Sequence, residues 1–106
     1  MATVQLERDE FEIKDLVHPY RRAFFPRQTK PYYINRVVMH GEVLRYTIFV
    51  SPPRMEHAEP QFRGESDTEI LDDPIRVEKN YDVMIEFYGP MSVECSLICS
   101  PGKKED

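Results

Sequence analysis

Between Asn80 and Ser100 the chain alternates with period two, Tyr81, Val83, Ile85 and Phe87 on one side and Asp82, Met84, Glu86 and Tyr88 on the other. Successive side chains of a strand point to opposite faces, so this predicts a half-buried strand with Val83, Ile85 and Phe87 toward the core. Gly89-Pro90 stops it, because proline has no N–H to donate and glycine tolerates positive φ. Val93, Cys95, Leu97 and Cys99 resume the alternation, which leaves a return strand or a short helix over Met91 to Cys99.

The earlier segments are read in the same way. Val4 and Leu6 share one face of a short terminal stretch. Asp9 followed by Glu12 has the spacing of a helix N-cap box, and Ile13, Leu16 and Val17 then fall at i, i+3 and i+4. The expectation is a two-turn helix ended at His18 by Pro19, with strand as the alternative because Phe11 and Ile13 also alternate. From Tyr32 the run YYINRVVM is β-branched and aromatic, His40-Gly41-Glu42 is turn-like, and Leu44, Tyr46, Ile48 and Val50 share a face. A hairpin over residues 32–50 follows. Ser51-Pro52-Pro53 ends it, and residues 51–73, rich in acids and poor in apolar side chains, are expected to form a long surface loop. Residues 74–78, PIRVE, are expected to be a short strand. The fold class expected is a single, mainly β domain over residues 1–106, an antiparallel sheet or sandwich with one or two short helices, with α+β as the alternative.

Composition narrows the function classes. With 41% apolar and 31% charged residues and a net charge of −5, the 106-residue chain is an ordinary globular one. No apolar run reaches the roughly 18 residues of a membrane span, and the N-terminus lacks the basic start and apolar centre of a signal peptide. Cys95 and Cys99 on a strand would lie about 13 Å apart, past the roughly 7 Å limit for a disulfide, so both are expected to be reduced. These features together suggest a reducing setting, either a host cytoplasm or a virion assembled there. His18, His40 and His57 have no partner at metal-ligand spacing, no glycine-rich phosphate loop occurs, and Asp72-Asp73 before Pro74 is simplest as a solvated turn. Neither catalysis, cofactor nor metal is expected.

Charge is segregated along the sequence. Residues 19–36 carry Arg21, Arg22, Arg27, Lys30 and Arg36 with no acid, a local +5, so the whole-chain −5 leaves −10 for the remainder. Arginine and aromatic residues are enriched in interface hot spots, which makes Arg21, Arg22, Phe24, Phe25, Arg27 and Lys30 candidate partner-binding residues. The partner expected is an acidic protein surface, including the Glu56 to Asp73 segment of another copy of the chain. A nucleic-acid-binding module using the same basic, aromatic stretch is the alternative, since single-strand binders combine a cationic track with stacking rings. A small inhibitor that binds one target is a third reading.

Two pieces, PRQTKPYYINRVV and YDVMIEFYGPMS, resemble segments of phage neck and tail-terminator proteins. The first is similar to a loop entering a strand through a proline-aromatic step, the second to an alternating strand closed by Tyr-Gly-Pro. The resemblance covers about a quarter of the chain and implies an α/β subunit of a ring at the top of a phage tail, without catalysis. It would make the protein a small viral structural subunit that contacts its neighbours.

Overall fold

The computed structural model describes residues 5–52 and 58–102. Among them the chain forms eight strands and no helix: β1 (Phe11–Val17), β2 (Arg21–Phe24), β3 (Tyr32–His40), β4 (Arg45–Ser51), β5 (Glu59–Gly64), β6 (Thr68–Val77), β7 (Asp82–Tyr88) and β8 (Val93–Pro101). They build two four-stranded sheets, sheet A in the order β1-β8-β3-β6 and sheet B in the order β2-β7-β4-β5. Every pairing is antiparallel. All connections except β4–β5 cross from one sheet to the other, which is the strand order of an eight-stranded jelly roll. The expected mainly β sandwich is therefore the architecture, and the helical and α/β expectations give way to an all-β fold.

The inward faces of both sheets meet in one core. Val83, Ile85 and Phe87 of β7 are all buried there, as the alternation predicts, against Ile34, Val37 and Leu97 of sheet A and Tyr46 and Ile48 of sheet B. The segment after Gly89-Pro90 is the strand β8, not a helix, and sits between β1 and β3. Its Cys95 and Cys99 are buried free thiols. Burial pushes both thiols far above the ordinary cysteine range, so neither is a ready nucleophile.

Three expectations are corrected. The stretch after Asp9 is strand β1, paired residue for residue from Phe11↔Cys99 to Val17↔Val93. A helix would have had to bury Leu16 with Ile13 and Val17, but Leu16 is exposed and the buried set follows period two. Asp9 itself has φ 70 and belongs to a turn closed by the Glu10 N–H donating to the Glu7 carbonyl. Val4, expected to alternate with Leu6, lies outside the described residues, and Leu6 is exposed.

Strands β3 and β4 stand where the 32–50 hairpin was expected but do not pair: residues 41–44 carry the chain from sheet A to sheet B. β3 is a central strand held by β8 and β6, with a register shift between Ile34 and Arg36. That bulge turns both Ile34 and Val37 inward although they are three apart.

The 51–73 loop contains β5 and the first half of β6. Residues 53–57, Glu56 and His57 among them, lie outside the described residues. β5 and β6 are the outermost strands of their sheets, where a proline in the ladder is tolerated, so Pro60 and Pro74 mark edges rather than a loop. Gly64 lies opposite Tyr46, and a Cβ there would fall 2.3 Å from the Tyr46 ring. Only glycine lets β5 close over that phenol.

Candidate interaction surface

The six residues singled out by charge and aromaticity are dispersed by the fold. Arg21, Arg22 and Phe24 lie on β2, the short edge strand of sheet B, and all three are exposed. Phe25 is 4% exposed, part of the core, and its N–H donates to the Val83 carbonyl at 2.9 Å. It is withdrawn from any surface, a correction that follows from its position one residue past the strand, where the side chain turns inward. Arg27 grips Asp82 with Nε and Nη2 at 2.8–3.0 Å. Lys30 is exposed beside Phe11 and Pro101 of sheet A, at a shallow depression of about 270 Å³.

Much of the basic charge of residues 19–36 is answered within the fold. Arg22 Nε lies 3.0 Å from Glu86 Oε2, Arg27 pairs with Asp82, and Arg36 reaches Glu10 at 2.9 Å. Arg21 and Lys30 have no ion pair among the described residues. The sequence shows the basic run but not these partners, which come from β7 and from the turn before β1.

The basic β2 edge and the acidic β5 and β6 edges lie on opposite flanks of the sandwich, although β1, beside β2, carries Glu12 and Asp15 as well as Lys14. β1 packs beside β2 on one flank, and β5 and β6, joined only by residues 65–67, form the other. The β5/β6 flank exposes Glu59, Glu65, Asp67, Asp72 and Asp73 against one exposed cation, Arg63. The β2 edge exposes Arg21, Arg22 and Phe24, Phe24 being 51% exposed. By register, Phe24 lies level with Met84 and Phe49 on the outward face of sheet B. Met84 is only 4% exposed although it faces outward, so an apolar row crosses this face.

A second feature, absent from the sequence reading, lies where the connections β1–β2, β3–β4, β5–β6 and β7–β8 come together at one end of the sandwich. Tyr20, Leu44, Arg45, Glu65 and Tyr88 line a cleft of about 520 Å³ there. Tyr20 has φ 58, its N–H donates to the Phe87 carbonyl at 2.8 Å, and its ring meets Tyr88 edge-on at 5.8 Å. The Arg45 guanidinium lies 4.5 Å over the Tyr88 ring. The Leu44 N–H donates to the Tyr88 carbonyl at 2.9 Å, tying two connections together. Glu65 is set by the Glu69 carboxylate, which accepts the N–H groups of Glu65 and Ser66 and the Ser66 hydroxyl. The available signal was positional: His18-Pro19-Tyr20, Gly41-Glu42, Gly64-Glu65-Ser66 and Gly89-Pro90 are alternate turns, which a sandwich that switches sheets gathers at one end.

Close to this end, His18 Nδ1 and Ser92 Oγ lie 2.7 Å apart. The pair has the spacing of a base and a hydroxyl nucleophile, but no carboxylate among the described residues orients the ring. No group of three histidine, cysteine or carboxylate side chains that could hold a metal occurs among the described residues. No protein-family model, no curated protein and no solved structure matches the chain.

Proposed function

We propose that this domain is a non-enzymatic assembly module that associates with copies of itself, the basic β2 edge of one copy meeting the acidic β5/β6 flank of the next. The observation that carries the reading is the placement of opposite charge on opposite flanks of one sandwich: Arg21 and Arg22 at one edge, Asp72 and Asp73 at the other. Opposed patches on different sides of a subunit favour a head-to-tail contact, which closes into a ring or runs on as a filament. Phe24, exposed beside the two arginines, supplies the apolar anchor that charge alone lacks. Edge strands often carry charge merely to prevent sheet-to-sheet addition, and four residues is short enough for that role. Phe24 does not fit that purpose.

A viral structural subunit is the most specific form of this proposal. Its support is the jelly roll, an architecture used by viral capsid domains and equally by lectins and cupins, so the fold alone does not choose; the all-β fold departs from the α/β subunit that the sequence resemblance implies. The intramolecular pairing of Arg27 and Arg36 leaves a short cationic edge rather than the extended track that a nucleic-acid backbone needs, which favours the protein partner.

Light scattering or native mass measurement across a concentration series tests the proposal. Wild type should form multimers that dissociate in salt, and Arg21→Glu/Arg22→Glu should be monomeric and still folded, losing about 1 kcal/mol of stability with the exposed Arg22–Glu86 pair. Mixing that variant with Asp72→Arg/Asp73→Arg should restore association between the two. A wild type that stays monomeric at every concentration sinks the proposal, and binding of single-stranded DNA or RNA at low salt, lost in the arginine variant, would replace it.

A further inference from the structure

We infer that the cleft formed by Tyr20, Leu44, Arg45, Glu65 and Tyr88 is a binding site for a neutral carbohydrate. The inference rests on this end of the sandwich alone and not on the assembly reading.

Strain comes first. A bulky aromatic residue at φ 58 is a conformational outlier, since the left-handed region crowds any Cβ and is normally left to glycine or asparagine. Such a conformation persists only where the surroundings enforce it, and here the Tyr20 N–H is fixed to the Phe87 carbonyl. Core burial does not explain it, because the Tyr20 side chain is 66% exposed. The fold holds an aromatic ring out in solvent at a conformational cost.

The neighbours of that ring define what it can meet. Tyr88 offers a second ring perpendicular to the first, and Arg45 is stacked on it with its N–H groups arranged in advance. Glu65 adds a carboxylate acceptor on the far side of the cleft. One cation and one anion line the site, so it has no excess charge with which to hold a phosphate, a sulfate or a basic peptide. Its volume of about 520 Å³ falls within the usual range for a small-ligand cleft, roughly 300–1,000 Å³. A ligand that fits carries no net charge, has an apolar face for an exposed ring, and presents polar groups to a planar donor and a carboxylate acceptor. A pyranose meets all three requirements: its axial C–H groups pack on an aromatic face while its hydroxyl pairs suit bidentate bonding to arginine and carboxylate.

The chain contains no tryptophan, so tyrosine emission can report on a ligand at these rings. Full-length protein should first be applied to an array of immobilised neutral, sialylated and sulfated oligosaccharides. A retained neutral glycan, in soluble form, is then titrated by calorimetry and tyrosine fluorescence. Wild type is expected to retain neutral glycans, Tyr20→Phe to bind within about threefold of it, and Tyr20→Gly and Arg45→Ala to lose at least tenfold. Tyr20→Gly is informative because glycine accepts positive φ, so its melting temperature should stay close to that of wild type and a loss of affinity belongs to the ring. Arg21→Glu/Arg22→Glu should titrate as wild type does, whatever its oligomeric state. Retention of no neutral glycan, retention only of sulfated or sialylated ones, or a Tyr20→Gly protein that binds like wild type would each overturn the inference.

Discussion

The two sheets share one core but present unlike faces to the outside. On sheet A the outward side chains are tied to each other and to the chain's own start. Arg36 on β3 donates to the Gln5 carbonyl at 2.8 Å and to Glu10, Asn35 bonds both Glu10 and Ser100, and Arg76 reaches the Tyr33 hydroxyl and the Gly102 carbonyl. Ile98, outward-facing by register between Glu12 and Arg36, is 0% exposed. The exposed apolar residues of this sheet, Leu16 and Ile70, are confined to its edge strands. On sheet B the outward Met84 is covered as well and Arg22 and Arg27 pair with Glu86 and Asp82, but Phe24, Tyr20 and the two β2 arginines are exposed. The same alternation thus yields one face whose polar side chains tie down the chain's own start and one that leaves an aromatic ring exposed beside its two arginines.

The largest effect that would break this contrast is on stability. Ile98→Ala on sheet A should cost about 2–5 kcal/mol, the range for a buried isoleucine, because its outward side is covered. Phe24→Ala on sheet B should cost no more than about 1 kcal/mol, since half of that ring already meets water. Chemical denaturation measures both, and equal losses would show that the two faces are closed to the same degree. The inward control, Phe87→Ala, should cost about 3–5 kcal/mol.

A middle-sized effect separates the ion pairs. Arg36–Glu10 is largely covered, whereas Arg22 at the β2 edge is mostly in water, and exposed pairs contribute about 0–1 kcal/mol. Arg36→Ala should therefore destabilise more than Arg22→Ala. It should also release residues 5–10, seen as faster amide hydrogen exchange there, while exchange in β2 and β7 stays unchanged. Faster exchange in both variants alike would remove the special role of Arg36.

How much of this was legible follows from where each residue sits. The central strand β7 was plain because its inward face lies wholly in the apolar core, so Val83, Ile85 and Phe87 announce it. Strand β5 and the first half of β6 were hidden because an edge needs few apolar side chains and tolerates Pro60, the features by which a loop is recognised, whereas residues 74–77 fall within the short strand expected from PIRVE. Pairing was hidden for a different reason. β3 and β4 each carry a clear inward face, and such a face is equally satisfied by lying beside its neighbour or across the core from it. The basic stretch was legible as charge, but whether an arginine meets solvent or a carboxylate depends on residues more than fifty positions away, as Arg27 and Asp82 illustrate. The cleft was harder to read, since its five lining residues come from three connections and the ends of β4 and β7, spread from Tyr20 to Tyr88.

The smallest predicted effect compares two carboxylates, one on each side of the contrast. Glu10, beneath sheet A's network, is held below the usual glutamate value by the Glu7 N–H and then by Asn35 and Arg36. Glu69, which shapes the turn beside the cleft, is lowered by the Glu65 N–H and by Ser66. A lowered folded-state pKa means the folded protein favours the ionised form, so each contributes stability that is full above the unfolded value of 4.5 and fades as pH falls through the folded value. Glu10→Gln and Glu69→Gln should each melt below wild type near about pH 7, and the gap should narrow as pH falls below 4.5 and through the lowered folded-state values, where the wild-type carboxyl becomes neutral. The local consequences should differ. Glu10→Gln should loosen residues 5–10, and Glu69→Gln residues 65–67, with a matching loss of ligand affinity at the cleft only in the second. A melting gap as wide at about pH 3 as at about pH 7 would mean that packing, not ionisation, carries the contribution, and that the polar closure of sheet A does not depend on charge.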